Sequence, residues 1–497
     1  MKPNSLHASR EWVAEFCPQQ LLIDNKWISI PGQPVLEVLD PSNEMAIASV
    51  PQATPVQVEN ALQSLAAAQE SWANISAWKR SEYLRSIAAI MRRDVDLYAK
   101  AMTLEQGKPL EQAKGEVLAA ADQFDWNADE ARRIYGRIIS GKNENDQIHI
   151  YKQPIGPVAS FAAWNFPSLL PARKISAALA AGCTVIAVPA PESPLSCLLI
   201  GKAAIEAGLP AGVLNMVTGD ASTISQQLME SEVIRKVSLT GSVPVGEITL
   251  SRAAKYIKPV TVELGGHSAV IVLEDADVDE AAKLCAVGKF RNAGQVCISA
   301  SRFFVHESIA DRFIEKFLEY TKTIRIGSGT DADTDMGPLG SRKRVAAMEE
   351  IISDAKEKGA KVLQGGNASA DYALGFFFEP TVIVDVNSTM KVMQEETFGP
   401  IAPIMIYSQI SEAVEIANSS PYGLAGFIFT KDLNRAIQIG LRLEVGMVGI
   451  NNLTIASAEV PFGGVKSSGF GREGGSEGVE EFLITKYLNA RMSKVPL

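Results

Sequence analysis

GPVASFAAWNFPSLLPARKISAALAAGCTVIAVPA, residues 156–190, holds a complete strand–helix–strand unit. GPVASFAAW and TVIAVPA are short β-prone runs, and SLLPARKISAALAAG between them has a helical pattern. VLNMVTG and KVSLTGS, beginning near 213 and 236, continue the series, with LSCLLIGKAAIEAG and STISQQLMES as the intervening helices. Strands alternating with helices at this spacing predict βαβ units and a parallel sheet covered on both faces. Such a sheet binds nucleotides at the carboxyl ends of its strands.

Upstream, VQVENALQSLAAAQESW and RSEYLRSIAAIMRRDVDLYAKAMTLE space their apolar residues three and four apart, so 55–134 reads as largely amphipathic helix. Downstream, VTVELGGHSAVIVL, SRFFVHES, AKVLQGG, TVIVDV, PIAPIMIYS, LAGFIFT and VGMVGINN form a second strand series, read as another α/β domain over about 257–460. Residues 135–152 read as a polar-tipped β-hairpin and 482–490 as one more strand. Two edge elements so far apart predict pairing either between subunits or within the chain.

The 497 residues exceed what one core normally supports, which predicts two or three domains. A 46% hydrophobic, 21% charged composition is that of a soluble globular protein. The net charge of −10 argues against nucleic acid or an anionic membrane as partner. Five cysteines without a CxxC pair and only four histidines assemble no metal site of recognisable spacing. The N-terminal MKPNSLHASREWVAEF has no apolar signal region. Val158–Pro191, the most apolar stretch, is broken by Asn165, Pro167, Pro171, Arg173 and Lys174 and cannot span a bilayer. A reduced, cytoplasmic, soluble protein is expected.

Four segments carry chemistry. In KFRNAGQVCISASRF (289–303), Cys297 lies in a polar, glycine-containing loop, where a cysteine is either filler or an exposed nucleophile. Cys183 and Cys285 have small apolar neighbours and read as packing residues. Glu263 interrupts an apolar strand just before Gly265-Gly266, as a structural cap or as a base raised by apolar surroundings. Asn165 ends the first strand of the opening unit, as a turn residue or as an oxyanion donor worth about 3–4 kcal/mol. In SLTGSVPVG, Gly241 and Gly246 bracket a strand-to-helix turn whose N–H groups and Ser242 hydroxyl could hold a pyrophosphate. GGVKSSGFGREGG (463–475) lacks the Gly-Lys-Ser/Thr of a phosphate loop and reads as a structural turn.

Thiol, carboxylate, amide and dinucleotide turn together specify one machine. The chain resembles the aldehyde dehydrogenase superfamily over nearly its full length. The motifs are WNFP (164–167), TGSVPVG (240–246), ELGG (263–266), GQVC (294–297), EETFGP (395–400) and PFGGVKSSGFGRE (461–473). FRNAGQVC and the arginine of PARK make it most similar to succinate-semialdehyde dehydrogenases. The resemblance implies an α/β aldehyde dehydrogenase fold. Residues 1–134 and 153–256 would form a Rossmann-like NAD(P)-binding domain and 257–460 a catalytic domain. Residues 135–152 and 461–497 would supply the oligomerisation hairpin and C-terminal strand of a homodimer or homotetramer. It implies Cys297 as nucleophile, Asn165 with the Cys297 N–H as oxyanion hole, and Glu263 as base. Ser242 would contact the pyrophosphate, and Glu396, beside Phe398, the nicotinamide ribose. Trp164, Gly241, Gly246, Leu264 and Val188 complete the expected cofactor site. A thioester on Cys297 would be hydrolysed; relatives that transfer to coenzyme A generally lack the glutamate, so a free acid is expected.

The chain departs from this pattern in places. The lysine expected at the end of TVIAV is Val188, and the ribose-gripping Glu or Ser is Pro191, with Glu192 adjacent. Loss of that cation favours NAD over NADP. Arg173 and Arg291 match two arginines that bind the distal carboxylate in the semialdehyde group, and guanidinium geometry suits the task. The serine of that group is Ala456, with Ser457 adjacent as the substitute, which leaves longer oxo acids and acid-bearing aromatic aldehydes open. Ser299 stands where some relatives carry a second, regulatory cysteine, so no disulfide switch is expected. The competing readings are a dehydrogenase of uncharged aldehydes and, more remotely, a non-catalytic member of the fold.

Overall fold

A computed structural model describes residues 3–492, with side chains from Ala8 onward. Residues 1–2 and 493–497, the outer ends of the spans 1–134 and 461–497, lie outside the described residues. None of the described helices is long and apolar enough to cross a membrane.

The series opened by 156–190 forms the centre of an eight-stranded sheet. Its parallel core runs, in spatial order, Val260–Glu263, Lys236–Thr240, Val158–Phe161, Val185–Val188 and Leu214–Met216. Chain order reverses between Lys236–Thr240 and Val158–Phe161. Neighbouring connections therefore leave on opposite faces there and open a crevice at the carboxyl ends, where ligands bind in such sheets. Asn165 and Ser242 follow the two strands that flank this crevice. Antiparallel strands close both edges, Gly469–Phe470 at one and Leu21–Ile23 with Lys26–Ile28 at the other.

A second sheet of seven strands is parallel except at its Lys361–Gln364 edge. Ser268–Val272 sits within it, between Ala300–His306 and Ala425–Phe429. VTVELGGHSAVIVL, grouped above with the second series from 257 onward, is therefore divided between the sheets. Val260–Glu263 pairs with Lys236–Thr240 in the first, and Ser268–Val272 belongs to the second. Gly265-Gly266 makes the crossing, and their missing side chains leave room for Glu396 and for the Cys297 backbone.

The helical region 55–134 appears as Pro55–Asn74, Ala77–Arg93, Val95–Gln106 and Leu110–Glu130. Thr54 caps the first through a box with Gln57, which satisfies first-turn N–H groups. Buried carboxylates cap other helices: Glu105 accepts the N–H groups of Leu195 and Ser196 at 2.6 and 2.8 Å. The hairpin Arg137–Ser140/Asp146–Pro154 and the strand Leu483–Arg491 pair with each other inside the chain, as a three-stranded antiparallel sheet. That sheet keeps Ile138, Tyr487 and Leu488 exposed.

Candidate active site

The loop after Val158–Phe161 delivers Asn165, which is buried. Its Nδ2 donates to the Gln295 carbonyl at 3.0 Å, and its own carbonyl accepts from Lys108 Nζ at 2.9 Å. Lys108 is fully buried and paired with Glu116, whose Oε1 accepts the N–H groups of Ser168 and Leu169. One ion pair thus fixes the asparagine backbone and caps the helix Leu169–Ala181. Neither Lys108 nor Glu116 belongs to a motif, and nothing in their local sequence marks them.

Cys297 follows a constrained turn. Asn292, Ala293 and Gly294 all adopt left-handed backbone, at φ 49°, 53° and 72°. Such conformations cost about 1–3 kcal/mol each outside glycine and persist where the surroundings dictate them. Here Gln106 holds the Asn292 amide at 3.0 Å, and the buried Gln295 accepts the Gly340 N–H at 2.8 Å. A Cβ at Gly294 would overlap the Gly399 carbonyl, so glycine is required.

The turn leaves Cys297 half-buried, while the other four cysteines are fully buried. Burial pushes its thiol up to about 12, Arg173 opposes this, and Glu396 and Glu263 add to it. At neutral pH the free chain therefore holds a thiol. The Cys297 N–H makes no hydrogen bond within the described residues, and Asn165 uses one of its two amide hydrogens. The Cys297 N–H and one Asn165 amide hydrogen thus remain without a partner among the described residues, the two donors that the resemblance assigns to an oxyanion hole.

Glu263 ends its strand with both carboxylate oxygens buried and unpartnered. Burial, then the neighbouring Glu473, raises it well above the usual carboxylate range, against Lys174, Arg173 and Arg472. Lys174 is buried, ion-paired to Glu473 and bonded to Thr240 Oγ1 at 2.6 Å. Lys174 and Glu473 lie in segments quoted above, PARK and PFGGVKSSGFGRE, but their pairing across 299 positions is not visible in the sequence.

The crevice fits a dinucleotide. Ser242 begins the helix Val243–Lys255 without a side-chain cap, so first-turn N–H groups face outward. A Cβ at Gly241 would make only ordinary contacts, with Leu239 at 3.6 Å and Val245 at 3.7 Å. Gly246 is needed instead for packing, because a Cβ there would lie 2.5 Å from buried Leu264. Beyond the turn is a cavity of about 260 Å³ lined by Val188, Pro189, Ala190, Pro191, Val245 and Ile248, among others. At the sulfur end, Glu396 Oε1 accepts the Gly266 N–H at 3.0 Å, and a Cβ at Gly265 would run into its other oxygen. Burial raises Glu396 to about 7. Phe398, at φ 43°, sets its ring edge-on to Trp164 at 5.7 Å, and Arg344 holds its carbonyl at 3.2 Å. Glu396, the uncapped turn and the apolar cavity stand where the resemblance expects the ribose, pyrophosphate and adenosine of a nicotinamide dinucleotide.

Arg173 and Ser457 line one cavity of about 430 Å³, with Gln123 and Trp126. Arg173 is buried against the Phe462 ring at 4.2 Å and has no hydrogen bond or ion pair to another described residue. Arg291 is placed apart from it. Its guanidinium lies 5.6 Å from the Phe166 ring, and it lines a different cavity of about 730 Å³. The two expected carboxylate ligands line different cavities, and both lie within electrostatic reach of Cys297.

A family model described as "Aldehyde dehydrogenase family" matches residues 27–488. The chain is 42% identical over 470 residues to the succinate-semialdehyde dehydrogenase [NADP(+)] GabD of Escherichia coli (strain K12), covering 95% of this chain and 97% of that one. It is 40% identical over 475 residues to a glutarate-semialdehyde dehydrogenase of Pseudomonas putida, covering 96% and 98%. A crystal structure of betaine aldehyde dehydrogenase from Staphylococcus aureus in complex with NAD+ superposes with a TM-score of 0.95 at 32% identity, covering 99% and 98%. The chain belongs to the aldehyde dehydrogenase family and is an NAD(P)-dependent oxidoreductase.

Proposed function

We propose that the chain oxidises an aldehyde with a distal carboxylate, a semialdehyde such as succinate semialdehyde, to the free acid. One observation carries this reading: Arg173 is a buried guanidinium without a protein counter-ion, facing a cavity and close enough to Cys297 to lower its thiol. Leaving a cation so buried and unpaired is costly, and a substrate anion relieves that cost. Ser457 lines the same cavity and adds a hydroxyl. The similar semialdehyde dehydrogenases support the same substrate class.

Cys297 adds to the aldehyde carbonyl as its thiol proton passes by way of Glu263 to solvent. The oxyanion is held by Asn165 Nδ2 and the Cys297 N–H, and loss of hydride from this adduct leaves the thioester. NAD(P)+, when bound by Glu396, the Ser242 turn and the apolar cavity, supplies a hydride acceptor. Glu263 takes a proton from the water that attacks the Cys297 thioester, and the acid leaves as the sulfur is regenerated. Lys174 and Glu473 set the charge environment of Glu263. Arg291, on the other cavity, reaches the Phe166 side of the site. The exposed sheet face of Ile138, Tyr151, Ile484 and Leu488 fits coverage by a second copy of the chain, and five unbridged cysteines fit a reducing cytoplasm.

The test is a substrate panel of succinate semialdehyde, longer oxo acids and benzaldehyde. The expected result is a kcat/KM for acid-bearing aldehydes about a hundredfold above that for benzaldehyde. Equal values would refute the anionic substrate. Cys297→Ser is expected to abolish turnover, and full activity in that variant would refute the thioester route.

A further inference from the structure

The 260 Å³ cavity at the carboxyl ends of the first sheet is walled mostly by small apolar residues and prolines. Val188 and Pro191, where relatives place a lysine and a ribose-gripping acceptor, offer no charge and no acceptor side chain. A polar cluster enters from two other elements. The helix Val243–Lys255 contributes Arg252, and the helix Ala221–Glu230 contributes Ser222 and Ser225. Arg252 is the only charged residue among those lining the cavity. Its Nη1 donates to the Ser222 carbonyl at 3.1 Å and its Nη2 to Ser222 Oγ at 3.3 Å. A guanidinium carries five N–H donors, so three remain after these two bonds. No carboxylate among the described residues lies within ion-pair distance of it. The nearby Asp220 carboxylate is engaged by the N–H and hydroxyl of Thr223, at 2.8 and 2.5 Å.

This donor set discriminates between ligands. A free ribose diol donates hydrogen bonds and is best held by a carboxylate, which the cavity wall does not provide. A phosphate offers acceptor oxygens and negative charge, for which a fixed guanidinium fork and two hydroxyls are the complement. The two serines reach the same wall, so a phosphate there would meet donors from both helices.

We propose that Arg252, with Ser222 and Ser225, recognises a phosphate on the 2′ position of the adenosine ribose, so that the chain binds NADP(H) in preference to NAD(H). The cation lost at Val188 is replaced from a different helix, which reverses the preference expected from the TVIAV strand alone. The inference rests on the reading of this crevice as the dinucleotide site.

The test is calorimetric titration of the full chain with 2′,5′-ADP and with 5′-ADP, which needs neither substrate nor turnover. The wild type is expected to bind 2′,5′-ADP about tenfold or more tightly than 5′-ADP. Arg252→Gln is expected to bring the two within about twofold while leaving 5′-ADP affinity in place, and Arg252→Lys to keep part of the advantage. Equal wild-type affinities, or an advantage that survives in Arg252→Gln, would overturn the phosphate site while leaving the crevice a nucleotide site. Binding of neither nucleotide would overturn both.

Discussion

Arg173 and Lys174 are consecutive residues of one helix, both cations and both buried, yet they face different regions. Successive residues point about 100° apart around a helix. Lys174 meets Glu473 and Thr240 behind Glu263, whereas Arg173 meets a cavity and the Phe462 ring. The first region is internally neutralised and works as scaffold for the base. The second is left one charge short, which is tolerable only where a ligand completes it. Burial alone therefore does not separate structural from functional cations; the presence of a counter-ion does.

The largest effects expected are opposite in sign. Lys174→Met strands Glu473 and removes a charge that opposes the raising of Glu263, so urea unfolding should lose about 3–5 kcal/mol. Arg173→Met removes an unpaired buried charge, so stability should hold or rise. If both variants lose stability equally, Arg173 has a protein partner and the contrast between the two regions fails.

The next effect is on selectivity. Arg173→Met should lower kcat/KM for acid-bearing aldehydes about a hundredfold, the consequence of leaving a substrate carboxylate unpaired in a dry cavity. Benzaldehyde turnover should change far less. A uniform loss for both substrates would place Arg173 in support of Cys297 rather than in substrate choice.

The same contrast explains what was legible in the sequence. Asn165, Glu263 and Cys297 sit in short motifs because each lies beside a particular turn, and local sequence encodes turns. The strand–helix alternation from 156 gave the first sheet for the same reason. Lys108 with Glu116, Lys174 with Glu473 and Arg252 with Ser222 are partnerships between separate elements, set by packing, and no local spacing announces them. VTVELGGHSAVIVL read as one series because hydrophobic runs do not reveal which sheet they join. Only the placement of Glu396 against Gly265-Gly266 shows why the chain crosses there.

Glu263 gives a smaller, pH-dependent test of the scaffold region. Its folded-state value is raised, chiefly by burial, so folding disfavours its ionised form. That contribution to stability is fully present below the ordinary carboxylate value of about 4.3 and is lost as pH rises through the raised one. Glu263→Gln cannot ionise, so its melting temperature should gain on the wild type as pH increases, while thioester hydrolysis is lost. A constant difference across pH would mean that Lys174, Arg173 and Arg472 already offset the burial of Glu263.

The smallest effect belongs to the sulfur. Cys297 is the only cysteine of the five that is not fully buried, so iodoacetamide should label it first, and slowly, since burial keeps it a thiol at neutral pH. Labelling should accelerate as pH rises towards about 12, where the thiolate forms. Arg173 is the largest influence lowering the thiol, so Arg173→Met should slow labelling at fixed pH by roughly two- to tenfold. An unchanged rate would separate the guanidinium from the sulfur electrostatically. The charge-deficient cavity and the nucleophile would then be two sites, and the link from Arg173 to the reacting aldehyde would be broken.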